Sequence, residues 1–146
     1  MKTIIVAVDF SPVTEKLLQT AKKMAGSETM VYIIHVAAPE PDFVGYSVGP
    51  EYIRQDRAKE LHKEHKLLDD IKKDFSNSDI NSEVLLISGP TVETLLHEID
   101  KLKADLLIIG RKGHSKLFEV VIGSVCKDIL NKLEIPALVV PVDEEA

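Results

Sequence analysis

Short apolar runs recur along the chain and are separated by longer stretches in which apolar and charged residues mix. Each run is nearly continuous in β-branched or aliphatic residues, a pattern typical of strands that are covered on both faces of a parallel sheet. The runs are too short for buried helices, so we interpret them as five strands. They are Thr3–Val8, Met30–Val36, Val84–Ile87, Asp105–Ile109 and Ala137–Val140.

The stretches between the runs carry apolar residues at helical spacing and predict four helices. The first is expected to begin at Ser11-Pro12, because serine is a good N-cap and proline suits the first helical position, and to stop near Gly26. The others are expected around residues 51–75, 91–102 and 124–133. Alternating strands and helices form βαβ units. The predicted fold class is therefore α/β, with an open five-stranded parallel sheet and helices on both faces.

One connection does not fit this regular pattern. Residues 37–50 contain three prolines and two glycines, and a connection of this length is usually functional or disordered. We hypothesise that it becomes more ordered when a ligand binds. Phe43 and Tyr46 are open to two interpretations, as a lid over a bound base or as exposed side chains.

Length and composition limit the classes of function. A chain of 146 residues is expected to form one domain, residues 1–146, and its net charge of −6 argues against a nucleic-acid partner. The single cysteine, Cys126, excludes an intramolecular disulfide. Asp9 comes too early for a signal peptide, and no apolar run approaches the roughly eighteen residues of a membrane span. We therefore expect a cytoplasmic protein with no membrane association.

The segment after the predicted fourth strand concentrates candidate chemistry. Residues 110–116 read Gly-Arg-Lys-Gly-His-Ser-Lys, and Gly123-Ser124 opens the next helix. Glycines let backbone N–H groups approach a phosphate, and a helix N-terminus offers unsatisfied N–H groups and a positive dipole end. In an open parallel sheet, ligands bind beyond the carboxyl ends of the strands, where Asp9 and Val36 also lie. A second glycine before a helix favours a phosphate site over glycines that only serve turns.

The spacing Gly110-x2-Gly113-x9-Gly123-Ser124 resembles the nucleotide-binding signature of the universal stress protein family. The resemblance covers essentially the whole chain and includes four further landmarks: Val8-Asp9-Phe10-Ser11, His35-Val36, Gly89-Pro90 and residues 136–141. It implies the sheet order 3-2-1-4-5 in an adenine nucleotide alpha hydrolase-like, Rossmann-type three-layer sandwich. That order places the switch point between the first and fourth strands.

The resemblance also implies a role for each site residue. Asp9 would bind the ribose hydroxyls, Ala7 and Val8 would flank the adenine, and the backbone of Val36 would read the adenine edge. Ribose and phosphates would be held by the glycine loop and its neighbours: Gly110, Gly113, His114, Gly123, Ser124 and Val125. The implied ligand is ATP, ADP or AMP, with Mg or Mn as candidate metals. Because every glycine of the signature is kept, the chain is similar to the ATP-binding members of the family.

By the same resemblance, the chain would be a stress-response or regulatory module with little or no hydrolysis. It lacks the G-x-x-x-x-G-K-[ST] loop and shows no base beside a nucleophile, so no catalytic residue is assigned. A receiver domain is excluded, because the first strand is followed by the single acidic residue Asp9 and the fifth by Pro141. Two alternatives stay open: a nucleotide-free interaction protein that acts through dimerisation, and a slow ATPase.

A homodimer is expected through the final strand with its apolar end, residues 137–142. An apolar strand at a sheet edge has unpaired backbone groups that invite a second strand, and the family resemblance implies antiparallel pairing with its twin. Pro141 has no N–H and limits how far that pairing can run.

The remaining candidate side chains are interpreted as structural. His62 and His65 have a spacing that allows metal ligation, but a solvated helix face explains them better. Cys126 lies where a helix dipole could lower a thiol pKa, yet a small buried hydrophobe is the preferred interpretation. His35 is expected to pack at a strand end.

Overall fold

The computed structural model describes residues 2–37, 51–111 and 124–141. Within these ranges strands and helices alternate as predicted. The elements are β1 (Thr3–Ala7), α1 (Thr14–Met24), β2 (Met30–Ala37), α2 (Glu51–Asn77), β3 (Asn81–Ser88), α3 (Thr91–Leu102), β4 (Leu106–Gly110), α4 (Ser124–Lys132) and β5 (Ala137–Val140).

The five strands form one parallel sheet in the order β3-β2-β1-β4-β5, which confirms the predicted order. The central strand β1 has β2 on one side and β4 on the other, with Val6 opposite both Ile33 and Ile108. The chain passes from β1 to β2 in one direction and returns to β4 on the far side. The strand order therefore reverses between β1 and β4, where open α/β sheets bind ligands.

Two hydrophobic clusters cover opposite faces of the sheet. On one face, Leu17 of α1 and Leu68 of α2 join the strand residues Ile4 and Val6. On the other face, α3 and α4 pack against the sheet through Leu95, Ile99, Cys126 and Ile129, together with Ile5 and Leu107. Helices on both faces of a sheet give the predicted three-layer sandwich.

The first helix begins later than predicted, and Ser11 is not its N-cap. The helix starts at Thr14, and Val13 occupies the N-cap position without a side-chain capping bond. The N–H of Thr14 donates to the carbonyl of Ser11 at 2.9 Å, and the N–H of Ser11 donates to Oδ1 of Asp9 at 3.0 Å. These bonds form a turn out of β1, so Ser11 belongs to the carboxyl edge of the sheet rather than to α1.

The other element boundaries differ from the prediction by a few residues. The third strand begins at Asn81, three residues before the predicted apolar run, because its pairing with β2 runs from Met30–Asn81 to Ala37–Ser88. Backbone pairing extends this edge strand over polar residues that carry no hydrophobic signal.

Candidate functional site

Residues of three neighbouring strands meet at one edge of the sheet. Ala7 ends β1 opposite Ile34, and this register, continued by two residues, places Asp9 level with Val36. On the other side, the pairing of Val6 with Ile108 continues so that Val8 lies level with Gly110. The structure therefore brings these predicted site residues to the carboxyl edge around the switch point.

The rest of the predicted glycine loop is only partly within the described residues. Gly113, His114 and Gly123 lie outside them, as do Phe43 and Tyr46 and the proposed lid. Ser124 is the first residue of α4. The side chain of Val125 is 41% exposed in the first turn of that helix.

Arg111, at the beginning of the glycine loop, is hydrogen-bonded to the neighbouring strand β5. The N–H of Arg111 donates to the carbonyl of Val140 at 2.8 Å, which continues the β4–β5 ladder beyond Gly110. One residue further, the carbonyl of Pro141 accepts a hydrogen bond from Nζ of Lys16 at 3.2 Å. Two cationic side chains, Lys16 and Arg111, therefore belong to segments that reach this edge of the sheet.

The turn after β1 carries polar groups at the switch point. Phe10 adopts a φ of 60°, a left-handed conformation that is uncommon for a bulky residue. Ser11 is buried, and its Oγ and the Oγ1 of Thr14 have no hydrogen-bond partner among the described residues. Buried hydroxyls normally find a partner, so these two are candidates for a water molecule or a ligand beside Asp9.

The backbone of Val36 has no partner on β1. The N–H of Val8 donates to the carbonyl of Ile34 at 2.9 Å, and a parallel ladder would continue from the N–H of Val36 to the carbonyl of Val8. In the described part of the chain that bond is not formed. Alternate residues of a strand direct N–H and C=O to the same neighbour. Both groups of Val36 are therefore directed toward the β1 side of the sheet, level with Asp9, as an adjacent donor and acceptor.

The carbonyl of Val8 is bonded by a side chain instead. Nδ1 of His35 lies 2.9 Å from this oxygen and donates to it, since a carbonyl only accepts. Nε2 of the same ring lies 3.1 Å from Oε2 of Glu64 on α2. The centroid of the Phe10 ring lies 4.6 Å from the centroid of the imidazole. His35 is buried and joins three elements, which goes beyond the predicted packing at a strand end.

Glu64 was not among the predicted site residues. An ionisable side chain inside a strand covered on both faces needs a buried polar partner, so His35 itself was the available signal. The sequence of α2 offers several acidic residues, and only the orientation of the helix selects Glu64.

Three further candidate side chains, His62, His65 and Cys126, lie on described helices. His62 and His65 are exposed on α2, and no cluster of three His, Cys, Asp or Glu side chains in the described ranges is placed to hold a metal ion. Cys126 is 2% exposed, and desolvation by burial raises the pKa of its thiol, opposite to an activated thiolate. Among the described helices, none is long and apolar enough to cross a membrane.

Comparison with known proteins gives the same family as the residues. A profile of the Universal stress protein family matches residues 1–141. A universal stress protein of Thermus aquaticus is 25% identical over 142 residues, which cover 95% of this chain and 98% of that protein. The solved structure of hypothetical protein MJ0577 superposes with a TM-score of 0.81 at 25% identity, covering 99% of this chain and 98% of the other.

Two further structures share the fold and were solved with nucleotides. A universal stress protein from Archaeoglobus fulgidus in complex with dAMP has a TM-score of 0.67 at 17% identity, over 95% of this chain and 97% of the other. A universal stress protein family protein from Arabidopsis thaliana with AMP bound has a TM-score of 0.68 at 16% identity, over 99% of this chain and 94% of the other. At these identities the likeness is one of fold. The family profile spans nearly the entire sequence, and the chain belongs to the universal stress protein family.

Proposed function

We propose that this chain binds an adenine nucleotide at the carboxyl edge of its sheet, between β1 and β4, and acts as a stress-response regulator. The observation that carries the proposal is the backbone of Val36, whose N–H and carbonyl have no backbone partner among the described residues and offer a donor and an acceptor at the switch point. Further support comes from the relatives of the same fold that were solved with dAMP and AMP.

The Val36 backbone has the polarity that adenine requires. Ring nitrogen N1 of adenine accepts a hydrogen bond and the neighbouring amino group donates one. The N–H of Val36 would donate to N1, and its carbonyl would accept from the amino group. Ala7 and Val8 would flank the base, and Asp9 would accept from the ribose hydroxyls. The ligand class is therefore an adenine nucleoside phosphate.

The phosphates would be held by the glycine loop from Gly110 to Ser124, at the N-terminus of α4. This part of the proposal rests on the sequence signature, because most of the loop lies outside the described residues. ATP, ADP and AMP all fit such a site. Magnesium usually binds to nucleotide phosphates with few protein ligands, so Mg or Mn would be coordinated mainly by the phosphates. We assign the site to a single domain, residues 1–146.

Little turnover is expected at this site. Hydrolysis needs a group that orients or deprotonates water within hydrogen-bond reach of the phosphate, and no described residue is assigned that role. We expect ATP turnover far below the median enzyme rate of about 10 per second. Sustained turnover above about 1 per second that is lost on changing Asp9 would show that the chain is an ATPase rather than a binding protein.

The proposal is tested by asking what the purified protein carries. Protein purified without added nucleotide is denatured, and the supernatant is analysed by chromatography and mass spectrometry. We expect an adenine nucleotide in substoichiometric or equal amount, or binding when AMP or ATP is added. Absence of bound nucleotide together with no binding of added AMP or ATP would favour the nucleotide-free interaction protein.

The geometry of β5 supports dimerisation as a second property. The carbonyls of Pro136 and Val140 accept hydrogen bonds from the N–H groups of Leu107 and Arg111, so the alternate residues Ala137 and Val139 direct their backbone groups away from the sheet. A twin strand could pair with these two residues. Pro141, two residues after Val139, also faces away from β4, but it has no N–H to donate, so the pairing would be short. We propose an antiparallel homodimer through this edge.

A further inference from the structure

We infer that His35 is a positioning residue that keeps the N–H of Val36 out of the β1–β2 ladder. The carbonyl of Val8 is the acceptor that the ladder would offer to Val36, and Nδ1 of His35 already donates to it at 2.9 Å. The observed ladder ends one hydrogen bond early, at the oxygen that the imidazole contacts. The N–H that is released lies at the switch point. Its use by an adenine base rests on the proposed function, whereas the effect on the ladder does not.

The imidazole is held from two other sides. Oε2 of Glu64 lies 3.1 Å from Nε2. The Phe10 and imidazole ring centroids are 4.6 Å apart, with an interplanar angle of 45°. Phe10 reaches this place with a φ of 60°, a conformation that persists only where the surroundings enforce it. Contacts from β1, the following turn and α2 therefore fix the orientation of a side chain on β2.

The proton on Nδ1 is essential to the inference. A carbonyl accepts only, so the contact with Val8 requires Nδ1–H. The contact between Nε2 and Glu64 requires one further proton, on either the ring or the carboxyl group. The other oxygen of Glu64, Oε1, is buried without a partner in the described ranges. Glu64→Gln can therefore keep the contact, with its amide NH2 donating to Nε2 and its oxygen in the unpaired position.

A purely structural role for His35 would give a different result. It would stabilise the edge of the sheet without changing which groups Val36 bonds. Three substitutions separate the roles. His35→Leu removes the donor, so the carbonyl of Val8 becomes available to Val36. His35→Asn places an amide N–H near the position of Nδ1 and preserves the donor. Ile33→Val, on the same strand and the same face, controls for a loss of packing alone.

The first measurement is amide hydrogen exchange at Val36, followed by NMR in the ligand-free protein. We expect fast exchange in the wild type, His35→Asn, Glu64→Gln and Ile33→Val. In His35→Leu the exchange should slow by about fivefold or more, the effect of roughly one net hydrogen bond. Equally fast exchange in His35→Leu would overturn the inference. If that variant does not fold, ¹⁵N spectra of the wild-type ring decide, because an Nδ1 without a proton would also overturn it.

The second measurement compares AMP with inosine monophosphate, whose base reverses the donor and acceptor at this edge. In His35→Leu we expect AMP affinity to fall by about fivefold and the preference over inosine monophosphate to shrink, while His35→Asn retains both. Slowed exchange with unchanged AMP affinity would contradict the role of Val36 toward the base. Failure of the wild type to bind AMP would refute the proposed function and leave the exchange result to decide the role of His35.

Discussion

Oδ1 of Asp9 accepts a hydrogen bond from the backbone N–H of Ser11 over 3.0 Å. The carboxylate therefore shapes the turn that leaves β1, in addition to the contact with ribose that we propose for it. A substitution at this position changes both properties unless it keeps an acceptor oxygen.

The first prediction uses that difference. Asp9→Ala removes the charge and the turn acceptor, so ATP affinity should fall by about 1.5–3 kcal/mol, the value of a charge-assisted hydrogen bond. Asp9→Asn keeps an oxygen for Ser11 and should lose less affinity, with a melting temperature close to that of the wild type. Calorimetric titration and thermal unfolding measure the two effects. Unchanged affinity in Asp9→Ala would remove Asp9 from the site.

A second prediction concerns the turn between β3 and α3. Gly89 has a φ of 155°, and a Cβ added there would lie 2.6 Å from Oγ1 of Thr94. Gly89→Ala should therefore destabilise the fold by about 1–3 kcal/mol through backbone strain and this clash. Thr94→Ala removes the hydroxyl, so the double variant should recover part of the loss. Urea unfolding of the single and double variants tests this, and strictly additive losses would show that the clash is not the cause.

The thiol of Cys126 gives a prediction about pH. Burial raises its pKa, and only the thiolate reacts with alkylating reagents. Iodoacetamide should therefore react slowly with the native protein, and the rate should still be rising above the pH of about 8.5 at which a free cysteine is half ionised. In denaturant the rate should increase and follow the ordinary titration. Fast native alkylation near neutral pH would indicate an activated thiol instead.

The dimer proposal predicts the effect of one edge substitution. Val139 directs its N–H away from β4, so Val139→Pro removes a donor from the outer edge of β5 without removing a β4–β5 hydrogen bond. We expect this variant to be monomeric by light scattering, with a native circular dichroism spectrum. Val139→Ala keeps the N–H and should remain a dimer. A dimeric Val139→Pro, or a monomeric wild type at the same concentration, would contradict pairing through β5.

Much of the fold was predictable because its signals are local. Apolar runs covered on both faces indicated the strands, and helical spacing indicated the helices between them. The predicted start of α1 was wrong. Ser11-Pro12 has residue types that are common at a helix start, but the side chain of Asp9 holds Ser11 in a turn. A bond between a turn and the end of a strand depends on backbone geometry that the spacing of residues does not contain.

The candidate site was only partly predictable. The family signature predicted Asp9, Val36 and the glycine loop as site residues, whereas the bond from His35 to Val8 and the contact with Glu64 depend on tertiary packing. Residues 35 and 64 are brought together by the orientation of α2 on the sheet, and no local pattern encodes that distance. That the N–H of Val36 makes no bond to the carbonyl of Val8 follows from where the ladder ends, which also requires the structure.

The most direct test of adenine-nucleotide binding is calorimetric titration of the folded protein with ATP and magnesium, for the wild type and Gly123→Val. A side chain at Gly123 would fill space that the phosphates need if the glycine loop holds them. Gly26→Val is the matched control, because an added Cβ there meets nothing closer than 3.7 Å and the residue lies after α1. We predict that the wild type and Gly26→Val bind ATP and that Gly123→Val, with a native circular dichroism spectrum, does not. Equal ATP affinity in all three folded proteins, or binding by none of them, would contradict the account.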